Sequence, residues 1–182
     1  MDWLQQSDFD CVGLVAKHCN LEKLCIAEKE AFEFDLRELL CEQFFDVEEN
    51  WESEDSDWEK ILNGTDWIGC NGNKRRHKGL KTLLAYLTYA RYILINNYDD
   101  TASGGVNKTA EFTIPKPLAE LKDFSSKYRK MALSLWIDIE AYLCSIGWSM
   151  KNCKGCSCNG SCGKGIGTKG YGGIVGNVTK YN

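Results

Sequence analysis

Apolar positions recur at helical spacing in three long stretches of this chain. The clearest runs from about residue 78 to 96, where Leu80, Leu83, Leu84, Leu87, Ala90, Arg91 and Leu94 follow the i, i+3, i+4, i+7 pattern of one helix face. Tyr86, Tyr89 and Tyr92 ride beside that face and suit packing against another helix or another subunit. A second helix is predicted after Pro117, which suits a first turn, and ends near Gly147. Leu121, Phe124, Tyr128, Met131, Leu135, Ile139 and Tyr142 step by three and four along it. Leu133, Trp136 and Ile137 widen its apolar face, so it can pack on two sides. A third helix is expected from about Leu21 to Val47, with Asn20 as N-cap and Glu22 in the first turn. Residues 1–19 have no firm pattern.

The connecting segments read differently. Asp46, Glu48, Glu49, Glu52, Glu54, Asp55, Asp57 and Glu59 form an acidic, solvated connection. Ser56-Asp57-Trp58-Glu59 has the form of a capping box, which predicts a short helix from Asp57 to Leu62 ending at Asn63-Gly64. The turn-rich Gly69–Asn73 leads into the basic run Lys74-Arg75-Arg76-His77-Lys78, read as the start of the next helix. Cations are unfavourable there, which points to an acidic contact: the protein's own acidic stretch, a neighbouring subunit or DNA. Residues 99–115 break the helical period and are rich in Thr. They predict an extended arm or a hairpin turned at Gly104-Gly105.

Composition changes after Met150. Residues 151–182 are rich in Gly, Cys and Lys, lack leucine, and carry five lysines and no acid. The whole chain has a net charge of -4, so the first 150 residues carry -9. An acidic body with a basic tail that cannot build its own core suggests a tail ordered by a partner. Ile174, Val175, Val178 and Tyr181 are β-type residues able to add to a partner's sheet edge, with Lys164, Lys169 and Tyr171 beside them. No apolar run is long enough to span a bilayer, and no secretory signal is visible, which predicts synthesis in the cytoplasm. There Cys11, Cys19, Cys25, Cys41, Cys70 and Cys144 are expected to act as small hydrophobes.

Candidate chemistry is sparse. Cys153, Cys156, Cys158 and Cys162 could hold a zinc ion, but their spacing is unlike two separated Cys-x-x-Cys knuckles. A zinc-dependent nucleic-acid-binding module built on them is the alternative reading. Gly165-x-Gly167-x-x-Gly170 lacks the strand and helix that a dinucleotide site requires. His18 and His77 have no neighbouring nucleophile motif, and there is no P-loop or nucleophile elbow. The chain reads as non-enzymatic, with no cofactor.

Three stretches carry a resemblance: Arg76-His77-Lys78-Gly79-Leu80-Lys81 with Leu84-Ala85-Tyr86-Leu87-Thr88-Tyr89-Ala90-Arg91-Tyr92; Asp100-Thr101-x-x-Gly104-x-Val106-x-Lys108; and Lys127-Tyr128-Arg129-Lys130-Met131-Ala132. Over residues 20–145 the chain resembles the head–tail connector (adaptor or ring) proteins of tailed bacteriophages, including crAss-like phages. The resemblance implies a virion protein: a helical-bundle subunit of a homo-oligomeric ring, commonly dodecameric, that lies beneath the portal protein and extends the channel for genomic DNA. It implies contacts with other tail or ring proteins, and none with a membrane. The expected fold is mainly α, with residues 1–19 leading into a bundle at 20–147. An arm or β-hairpin at 99–115 stands between the two long C-terminal helices, and an extended tail covers 151–182. Thr101, Gly104, Val106, Lys108 and Phe112 are expected at a subunit contact or the channel. The tail residues Lys164, Lys169, Tyr171, Ile174, Val175, Val178 and Tyr181 are expected on the portal or an adjacent ring.

Overall fold

The computed structural model describes residues 3–12, 20–69, 71–101, 104–107 and 117–148. The architecture is mainly α-helical. A 3-10 helix at Gln6–Val12 is followed by α1 (Leu21–Glu30), α2 (Arg37–Leu40), α3 (Phe44–Glu49), α4 (Ser56–Asn63), strands β1 (Thr65–Ile68) and β2 (Lys74–His77), α5 (Gly79–Asn96), β3 (Tyr98–Thr101), β4 (Gly104–Asn107) and α6 (Leu118–Ser145). The two long helices predicted from apolar spacing are α5 and α6, and the hairpin between them is β3–β4.

α5 is the spine. α6, α1, α4 and the N-terminal 3-10 helix all pack on it. Leu80, Leu83, Leu84 and Leu87 are fully buried, each contributing about 2 kcal/mol of apolar burial. α6 lays Ala132, Trp136, Ile139 and Leu143 into the same core. A Schellman turn ends it: Trp148 N–H donates to the Leu143 carbonyl at 3.0 Å, and Gly147 supplies the positive φ of 99°. Trp148 then meets Trp58 of α4 edge to face, with ring centroids 5.7 Å apart.

The predicted N-terminal helix is not continuous. Asn20 caps α1 as expected, its Oδ1 accepting from Lys23 N–H at 3.1 Å. At Ala31–Leu36 the chain widens into a π-helical turn, which buries Phe32, Asp35 and Leu36 together and leaves Phe34 exposed. At Cys41 the backbone takes φ 53°, and a 3-10 turn at Cys41–Gln43 redirects α3. Apolar spacing survives because Leu40, Phe44 and Val47 still face the core. The N-terminal segment, patternless in sequence, is pinned to this region. Glu28 Oε1 accepts from the Trp3 and Leu4 amides at 2.9 and 2.6 Å, Trp3 stacks on Phe32 at 3.9 Å, and Trp51 Nε1 donates to the Trp3 carbonyl at 2.6 Å.

Three local expectations are corrected. α4 begins one residue earlier than the capping box implied: Asp55 is the N-cap, its carboxylate accepting from Asp57 N–H at 2.9 Å, and Ser56 is already helical. Lys74–His77 is a strand, because Gly69–Asn73 reverses the chain and pairs Thr65 with His77 and Trp67 with Arg75. Gly104 and Gly105, expected at the turn, lie in β4, opposite Thr101 and Asp100.

Candidate functional site

Two of the three stretches that carry the resemblance meet in space. Arg91 of α5 grips Asp35 with two prongs, Nε to Oδ2 at 2.6 Å and Nη2 to Oδ1 at 3.1 Å, and its Nη1 reaches Glu30 at 2.8 Å. Arg129 of α6 bonds the same Asp35 carboxylate. Asp35 is buried, and its hydrogen bonds raise Arg91 further above the usual guanidinium range, so the charge is fixed. Beside this cluster Tyr128 of α6 meets Tyr89 of α5 edge to face at 4.8 Å. Burial, followed by the neighbouring tyrosines, pushes the Tyr89 phenol up. The cluster locks three helical segments; it has the geometry of a clasp.

A second junction holds the β1–β2 hairpin to α6. His77 is buried and stacks on Tyr142 at 4.4 Å, and Trp67 meets the same ring at 5.8 Å. Gly79 N–H donates to His77 Nδ1 at 3.3 Å, which places the imidazole proton on Nε2. Nε2 has no hydrogen-bond partner among the described residues, and burial lowers the His77 pKa. The opposite face of the hairpin carries charge. Asp66 bonds Arg76 and, at 3.0 Å, Lys74; those bonds hold its carboxyl well below the usual range. Arg75 is on the His77 face instead, 5.5 Å from the Trp67 ring centroid. The basic run thus meets an acid, but it is Asp66 of its own hairpin and not the acidic connection.

The outer face of α6 is the third feature. Leu133 and Ile137, one turn apart, are 45% and 66% exposed, and Phe124 and Met131 are exposed on another flank of the helix. A shallow depression of about 520 Å³ on this helix is lined by Asp123, Ser126, Lys127, Lys130, Met131 and Ser134. The widened apolar face read from sequence therefore divides: Trp136 goes to the core and Leu133 and Ile137 to solvent.

Of the predicted arm residues, Thr101, Gly104 and Val106 lie in β3–β4, Thr101 opposite Gly104 and Val106 opposite Asp99. Lys108, Phe112, the tail residues and the four-cysteine cluster lie outside the described residues. Among the described residues no group of three or more His, Cys, Asp or Glu side chains could hold a metal ion, and no helix is long and apolar enough to cross a membrane. Cys25 and Cys41 are free and half-buried, but Cys144 is disulfide-bonded, against the expectation of a simple buried thiol.

Among the described residues the fold is mainly α-helical, with two small β-hairpins and a last helix that leaves Leu133 and Ile137 exposed. Residues 36–159 match a family model, and the chain belongs to that family, described as a family of unknown function (DUF6712). No curated protein and no solved structure matches it.

Proposed function

We propose that this chain is a structural, non-enzymatic subunit of a bacteriophage head–tail junction. It joins copies of itself in a ring that continues the DNA channel between portal and tail. The observation that carries this reading is the outer face of α6, where Leu133 and Ile137 stand in solvent along a 28-residue helix whose opposite side is core. Apolar side chains set in this way on a long helix suit burial against a neighbouring copy.

The resemblance supports the class. Its marked residues serve shape rather than reaction: Arg91 and Arg129 close on Asp35, and Tyr89 meets Tyr128. On this reading β3–β4, with Thr101, Gly104 and Val106, faces a neighbouring ring or the channel. Residues 151–182 reach the portal with their lysines. The DNA passes without sequence-specific contact.

Native mass measurement and negative-stain images of the full chain, alone and co-expressed with its portal, test the proposal. A closed ring that binds the portal is expected, and removal of 151–182 should leave a folded subunit that no longer attaches. A monomer that ignores the portal overturns the assignment.

A further inference from the structure

Between Thr65 and Lys78 the β1–β2 hairpin carries four cations and one anion. Asp66 engages Arg76 and Lys74. Arg75 and Lys78 are exposed and have no carboxylate partner among the described residues. Ile68, 67% exposed, stands on the other face of the hairpin from Arg75, opposite Lys74. One short helix upstream, residues 46–59 hold eight carboxylates and no cation. Asp57 pairs with Lys60, whereas Glu48, Glu49, Glu52 and Glu54 have no ion-pair partner among the described residues. No ion pair among the described residues joins the hairpin to this segment.

One molecule therefore displays two patches of opposite charge that do not meet within it. Two unlike patches that fit each other make a head-to-tail contact, the kind that closes into a ring. We propose that the β1–β2 hairpin of one copy docks on the acidic 46–59 segment of the next, with Arg75 and Lys78 facing its free glutamates. The proposal rests on the ring reading above and specifies its seam. Nucleic acid is the other natural partner of a basic hairpin. Here Asp66 already engages two of the four cations, and the -9 body repels a phosphate backbone. A partner that offers a few carboxylates to Arg75 and Lys78 fits better.

A charge swap tests this on the full chain. One variant is Arg75→Glu with Lys78→Glu; the other is Glu52→Lys with Glu54→Lys. Circular dichroism checks that both fold, and sedimentation velocity reads assembly. Each variant alone should associate about tenfold more weakly than wild type, because attraction becomes repulsion at two exposed pairs. Mixed in equal amounts they should assemble again, since the reversed hairpin of one now suits the reversed segment of the other. The neutral Arg75→Gln with Lys78→Gln should fall between. Single variants that assemble like wild type overturn the seam and leave the ring reading standing, as does a folded mixture that stays apart. A wild-type chain that never associates overturns both. A hairpin variant that assembles normally but loses binding to a short DNA duplex assigns the hairpin to nucleic acid instead.

Discussion

Asp35 and Arg91 meet through two parallel hydrogen bonds, although 56 residues separate them in sequence. Arg129, 94 residues from Asp35, shares the same carboxylate. Asp35→Ala should therefore remove the anchor of two guanidinium groups at once. Arg91 is only 24% exposed and would keep Glu30 alone as its carboxylate partner. A loss of about 2–3 kcal/mol is expected, less than for a fully dry pair because Arg129 is half in solvent. Arg129→Ala alone should cost under about 1 kcal/mol. Urea unfolding midpoints of the two variants would show the difference.

Gly64 and Gly79 touch backbone to backbone where α4 ends and α5 begins. A Cβ on Gly64 would stand 2.5 Å from the His77 carbonyl oxygen, and one on Gly79 would run into the carbonyl of Leu62. Both have positive φ, 92° and 80°. Alanine at either position should destabilise the fold by at least about 2 kcal/mol, from strained backbone and overpacking together. Gly72, at the hairpin turn, also has positive φ but open space around it, so Gly72→Ala should cost only about 1–2 kcal/mol. Thermal melts of the three variants would rank them.

His77 gives the fold a dependence on acidity. Burial lowers its folded pKa below 6.5, opposed weakly by Asp138. A depressed histidine binds its proton more readily in the unfolded chain. Its contribution is therefore complete above about pH 6.5 and falls as pH drops from there toward the folded value. His77→Phe keeps the stacking on Tyr142 and removes the proton. The melting temperature of wild type should fall more steeply than that of the variant between about pH 7 and pH 5.

Leu133→Glu with Ile137→Glu tests the α6 face directly. Both side chains lie largely in solvent, so stability should change by no more than about 0.5 kcal/mol per substitution. Assembly should be lost. Light-scattering mass together with a melt would separate the two effects, and a variant that still forms rings would remove α6 from the interface.

The long helices were legible because their period is regular and their core partners lie on one face. α5 and α6 needed only Leu80–Leu94 and Leu121–Tyr142 to be seen. The bend at Cys41 was not legible: no Pro or Gly marks it, and the apolar residues resume their spacing on the far side. The strand at Lys74–His77 was hidden for another reason. Only His77 turns inward, and its partner Tyr142 lies on a helix far along the chain. Three cations in a row cannot announce a buried face. Arg91 stood in the correct helix face, but its function depended on a π turn that brings Asp35 inward. Pairwise contacts of such separation leave no local trace in one sequence.

The packing of α5 under α6 has a bearing on biosynthesis. When a ribosome has finished Thr101, α1, α4, β3 and the N-terminal 3-10 helix, which pack on the spine, have been made, and the last helix to cover it has not. The missing side chains, from Ala132 to Leu143, are made only after the β3–β4 hairpin and the first turns of α6. The nascent domain must therefore wait, greasy and half-clad, until Leu143 has been added, and chaperones have that interval in which to hold it.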